Sequence, residues 1–219
     1  MRDKPIQTEN DAIEFMKRAK FALRYNSTPS LPLASMYAAT RDTRCAIELT
    51  NALLARKTVI ETNVIAGRLV LVYRDIVPAL YALRTRLRPA ERSGDAERAL
   101  DLIRNEGTAS VGEVRRFLEV QGTKRPDRAD LAVSELQRDI LIDRGPSVVP
   151  KNGIPYLSKE GFPYRLFETA HPDLVEAAKK LSASDALAIL RSASGPISSK
   201  KFTSLFRLCL TAEDVASKA

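Results

Sequence analysis

Catalysis needs a nucleophile beside a base, or several donors gathered on a metal, and this sequence offers few such groups. His171 is the only histidine among 219 residues, and Cys45 and Cys209 are the only cysteines. The two cysteines lie far apart and match no metal-ligand spacing. His171-Pro172-Asp173 reads as a helix N-terminus, with Pro172 in or just before the first turn. No Gly-rich phosphate loop occurs, and Gly107, Gly112, Gly122 and Gly153 are accounted for by caps and turns. No cofactor and no metal are expected. What the chain has in quantity is cationic side chains: 35 Lys and Arg against 27 Asp and Glu, a formal net charge of +8. That balance favours a polyanionic partner.

The excess charge is unevenly placed. Residues 1–88 hold fifteen Lys and Arg against eight Asp and Glu, a net of +7, while residues 89–170 come to −1 and residues 171–219 to +2. Candidate contacts follow from this and from local pattern. Arg84, Arg86 and Arg88 cluster at a helix end closed by Pro89. There they could complement the helix dipole and terminal carbonyls, or meet phosphates. Lys124, Arg125 and Arg128 sit at the start of a helix over about 127–138, with Ser134, Gln137 and Arg138 further along and largely off its apolar stripe. Lys151 and Asn152 mark the tip of a hairpin. Asp127, Asp130 and Glu135 share that helix, so its cations read equally well as a solvated, internally paired face.

The elements that must position these residues are legible from periodicity. Hydrophobic residues make up 44% of the chain and Trp is absent, which suits a globular core of Leu, Ile, Val and Ala. An amphipathic helix is expected over 8–24, on the stripe Ala12, Phe15, Met16, Ala19 and Leu23. Short helices follow near 32–39 and 43–56. A β-hairpin is expected over 58–74 with its turn at Ala66-Gly67, and then a helix from Ile76 to about Leu83. Beyond a polar boundary at 91–95 the order becomes helix (95–104), helix from Ser110, helix (127–138) and hairpin. Ser110 and Glu113 make a capping box. A strand is read at 140–142, and Asn152-Gly153 is the strongest hairpin signal in the chain. Three helices and a hairpin predict a winged helix, a fold that enters DNA through its third helix and its wing. Helices near 173–181 and 183–192 and a short helical tail complete an α+β, mostly helical chain. It divides into 1–88, 89–162 and 163–219. The polar start lacks a signal peptide's apolar core and no run reaches membrane-span length, so a cytoplasmic protein without membrane contact is expected.

The run Asp130-Leu131-Ala132-Val133-Ser134-Glu135-Leu136-Gln137-Arg138-Asp139-Ile140-Leu141-Ile142 resembles the central signature of the AlkZ-like winged-helix family of DNA glycosylases. Tyr164-Arg165-Leu166-Phe167 and the helix start Leu181-Ser182-Ala183-Ser184-Asp185-Ala186 are also similar. Upstream, Ala66-Gly67-Arg68-Leu69-Val70-Leu71-Val72 and Ile76-Val77-Pro78-Ala79-Leu80-Tyr81 resemble that family's shorter relatives. The resemblance implies DNA as partner. It does not extend to the Gln-x-Gln or Gln-x-Asp pair near the N-terminus that positions water in those enzymes. The glutamines here are Gln7, Gln121 and Gln137. Gln137-Arg138-Asp139 matches only by spelling, at a helix end. The expectation is therefore a non-enzymatic DNA-binding protein acting through backbone electrostatics. Its rivals are a winged-helix module for protein contacts and a divergent glycosylase with other catalytic residues.

Overall fold

Thr8 accepts a hydrogen bond from the Asp11 amide while the Asp11 carboxylate accepts from the Thr8 amide, and this reciprocal cap starts α1 (Glu9–Ala19). The computed structural model describes residues 4–25, 31, 33–89, 91–121, 124–146 and 162–216. α1 ends earlier than its periodicity predicts. Lys20 turns to a positive φ of 58°, and Phe21–Leu23 form the strand β1. The reason lies on both faces of that strand. Phe21 and Leu23 enter one hydrophobic core and Ala22 enters another. A continuous apolar run buried on two sides carries no period that separates strand from helix.

β2 (Ala34–Ser35) pairs with β1 in parallel and runs into α2 (Met36–Thr40), where one short helix was expected. α3 (Thr43–Ala55) follows, capped by Asp42. The predicted hairpin is present as β3 (Val59–Thr62) and β4 (Val70–Tyr73), with Ala66 and Gly67 both at positive φ in the connection. The four strands lie in the order β2-β1-β4-β3. α1 and α3 cover one face of this sheet. The other face meets α4 (Val77–Arg86) and the C-terminal helices α9 (Pro172–Lys179), α10 (Ala183–Ala193) and α11 (Ser199–Phe206). Phe206 meets Phe21 edge-on at 5.4 Å between ring centroids. The C-terminal segment is thus part of the first segment's core and no separate extension.

The middle of the chain builds its own core. Ser93 caps α5 (Gly94–Glu106), which ends at Gly107 with φ 74°. β5 (Ala109–Ser110) leads into α6 (Val111–Phe117) through the predicted Ser110–Glu113 capping box. Asp127 and Asp130 form another box at the start of α7 (Arg128–Arg138). Then come β6 (Ile142–Arg144) and β7 (Pro163–Leu166), and the three strands pair antiparallel in the order β5-β7-β6. β7 occupies a Pro- and aromatic-containing stretch that the sequence left as a connection. Pro163 is tolerated there because it is the first residue of the strand. The expected Asn152-Gly153 turn lies outside the described residues. α8 (Phe167–Ala170) and α12 (Ala212–Ala216) complete the chain.

Candidate functional site

The clustered arginines are used inside the fold. Arg84 is only 7% exposed. It is ion-paired with the Asp139 carboxylate and donates to the carbonyls of Arg138 at 3.1 Å, Leu87 at 3.2 Å and Leu208 at 2.8 Å. Arg88 donates to the carbonyls of Asp139 at 2.8 Å and Ile140 at 3.1 Å, and its guanidinium lies over the Tyr81 ring. Both side chains therefore satisfy carbonyls at the C-terminal end of α7, where a cation also complements the helix dipole. This corrects the phosphate-contact reading for Arg84 and Arg88. Arg86 stays partly exposed, 3.8 Å from Asp214.

The outer face of α7 is also less free than its sequence suggests. Arg128 makes a two-pronged ion pair with Asp95 at 2.7 and 2.6 Å, which holds that carboxyl below its ordinary range. Arg125 pairs with Asp127 at 2.6 Å, and Arg115 reaches Asp127 at 2.6 Å and Asp130 at 3.0 Å. Burial alone would raise the Asp127 carboxyl, but these donors together hold it below its ordinary range. Lys124 and Arg138 are exposed and have no ion pair among the described residues. Lys151 and Asn152 lie outside the described residues.

The opposite side of α7, expected to face outward at Ser134 and Gln137, is covered by the end of β3. Thr62 Oγ1 donates to the Gln137 carbonyl at 2.9 Å. Asn63 Nδ2 donates to the Ser134 carbonyl at 3.0 Å and to its hydroxyl at 2.7 Å. Beside this contact opens a cleft of about 660 Å³ between α7 and the first sheet. Arg125, Leu131, Ser134 and Gln137 line it from one side, and Arg24, Tyr25, Glu61 and Asn63 from the other. Of the predicted contact residues that are described, then, Arg125, Ser134 and Gln137 come together in a concave site.

Beneath the cleft lies a buried polar cluster that sequence reasoning missed. The Glu61 carboxylate accepts from Arg24 Nη1 at 3.3 Å and from Arg144 Nη1 at 3.1 Å, and Arg144 Nη2 reaches Asn51 Oδ1 at 3.2 Å. The Phe162 ring is shared by both guanidiniums, 3.5 Å from Arg144 and 4.6 Å from Arg24. Burial opposes the charge on Arg24, yet the Glu61 charge more than offsets it, and the guanidinium holds its proton more tightly. Burial pushes the Tyr164 phenol up, with Glu61 adding to the effect. One carboxylate serving two guanidiniums leaves this cluster net positive. Asn63 and Gln137 both line the cleft, and their Oδ1 and Nε2 atoms are buried without a hydrogen-bond partner among the described residues. The available signal was the interruption of apolar runs by charge: Glu61 in Val59-Ile60-Glu61, and Asp143-Arg144 after Ile140-Leu141-Ile142.

A second buried pair also went unread. His171 Nε2 lies 2.8 Å from Asp143 Oδ2, and Arg165 donates to the same carboxylate oxygen at 3.0 Å. His171 does precede α9, as expected, with Pro172 in its first turn. Its side chain and that of Asp143 are almost wholly enclosed, so the pair ties β6 to the α8–α9 corner. No metal-ligating cluster and no helix long and apolar enough to cross a membrane occur among the described residues. Comparison with known proteins finds no matching family model, no similar curated protein and no similar solved structure.

Proposed function

We propose that this chain binds nucleic acid, with residues 94–166 acting as a winged helix and backbone electrostatics supplying most of the affinity. The observation that carries this reading is the order α5-β5-α6-α7-β6-β7 with its β5-β7-β6 sheet, which supports a winged helix. The net charge of +8 suits a polyanion, and the AlkZ-like resemblance is in keeping with DNA. Lys124 and Arg138 are the exposed cations best placed for phosphates, since Arg125 at the cleft mouth is already paired with Asp127. Arg128 is held by Asp95, and Ser134 by Asn63, so direct base reading along α7 in a major groove is not part of the proposal. Excision is not part of it either. The Gln137 carbonyl accepts from Thr62 of β3, and Asp139 is engaged by Arg84.

A second reading, a module for protein contacts, is favoured by one observation. Leu131, at 58% exposed, projects from α7 within a segment of near-neutral charge. Fluorescence anisotropy with a labelled duplex at low salt separates the two. Binding is expected, with log K falling against log salt by about 0.9 per neutralised phosphate. Lys124→Glu with Arg138→Glu should weaken it across sequences and flatten the slope. Absence of binding at ~10 μM, where non-specific binders register at low salt, would give the lead to protein contacts.

A further inference from the structure

We infer that the cleft between α7 and the first sheet takes an unpaired nucleobase, so that the preferred nucleic acid carries a base out of its stack. The inference rests on the nucleic-acid reading and names the ligand of its concave site. A cleft of about 660 Å³ is within the size range of small-molecule sites. Its mouth is apolar and aromatic: Tyr25 is 49% and Leu131 is 58% exposed, and both line it. Large apolar side chains standing in water at opposite sides of a cleft fit a planar partner that stacks. The Tyr25 ring is itself backed by the Arg24 guanidinium at 5.2 Å.

The wall gives the polarity of that partner. Because Asn63 Nδ2 donates to a backbone carbonyl, which can only accept, the amide orientation is fixed and Oδ1 is an acceptor. That acceptor and the Gln137 Nε2 donor are both buried and unpartnered. An aliphatic ligand would leave both unmet, and a buried polar group without a partner is costly. A base edge, which presents donors and acceptors side by side in a plane, can meet one of each. The surroundings are net positive: Arg24 and Arg144 share the single carboxylate of Glu61, while Arg115 and Arg125 are balanced by Asp127 and Asp130. A base that brings a phosphate with it suits this charge better than a neutral planar ring.

The experiment uses the full chain and three ligands: a fully paired duplex, the same duplex with one unpaired base, and a nucleoside monophosphate as competitor. The unpaired-base duplex should bind about tenfold more tightly than the paired one, the scale of one stacked base. Tyr25→Ala and Leu131→Ala, which change no charge, should each erase that difference and leave paired-duplex binding unchanged. Both residues are exposed, so thermal melting should be little altered. Equal affinity for the two duplexes, or a preference that survives both substitutions, would overturn the inference while leaving the nucleic-acid reading standing. If neither duplex binds but the monophosphate does, and Tyr25→Ala weakens it, the pocket stands with a free nucleotide as its source and the nucleic-acid reading falls. Failure of all three ligands to bind overturns both.

Discussion

Two arginine-rich regions flank α7, and they differ in what lies beside their paired arginines. At its C-terminal end, Arg84 and Arg88 are taken up by the Asp139 carboxylate and by a run of backbone carbonyls. Along its side, the cleft arginines Arg24, Arg115 and Arg125 are paired with carboxylates as well, yet Asn63 Oδ1 and Gln137 Nε2 remain unpaired there and aromatic surface is exposed. Asp139 Oδ2 and Arg92 Nε at the C-terminal end are also buried without a hydrogen-bond partner among the described residues, but they form an ion pair with each other at 3.6 Å and do not line the cleft. Charge density alone therefore does not locate a site, and unmet hydrogen-bonding capacity beside an opening is the better guide.

Substitutions should separate these regions by size of effect. Arg84→Ala leaves the Asp139 carboxylate buried with only a longer contact to Arg92 at 3.6 Å. It should cost about 3–5 kcal/mol, as breaking one side of a buried ion pair does, read as a lower denaturant midpoint at unchanged slope. A loss below about 1 kcal/mol would mean that Arg84 is free enough to meet a ligand. Asn63→Ala removes the bonds to Ser134 but also the unmet acceptor. It should cost only about 1 kcal/mol in the same assay, with a larger proportional loss of ligand binding than of stability.

Acid should weaken the start of α7 next. Asp95 and Asp127 have folded pKa values below their ordinary ones. Their contribution is therefore complete above the unfolded value near 3.9 and is lost as pH falls through the lowered folded values. Melting temperature should decline from about pH 4 downward, and Asp95→Asn should remove part of that decline. A pH-independent melt over this window would show that these pairs carry no stability. The smallest effect is expected at the cleft mouth, where Tyr25→Ala should change stability by no more than about 0.5 kcal/mol. A larger loss would make Tyr25 a packing residue and not a free stacking surface.

Much of the fold was legible because its signals are local. The Ser110 cap, Gly107 at a helix end and the β3–β4 hairpin each follow from a few neighbouring residues. β1 and β7 were not legible, because Phe21–Leu23 carries no distinguishing period and Pro163 reads as a breaker. The candidate site was less legible still. Its members come from positions 24, 61, 63, 137 and 144, and nothing local says that Glu61 and Arg144 will meet. Likewise the Arg84–Arg88 spacing pointed to a helix end, but the carbonyls it serves belong chiefly to a different helix.

Amide hydrogen exchange with and without the unpaired-base oligonucleotide tests the central distinction most directly. Added protection is expected at residues 61–69, 124–134 and 162–166, around the cleft, with none at 84–92. Protection confined to 84–92, with the cleft segments unchanged, would contradict the account and return the binding role to the arginine cluster.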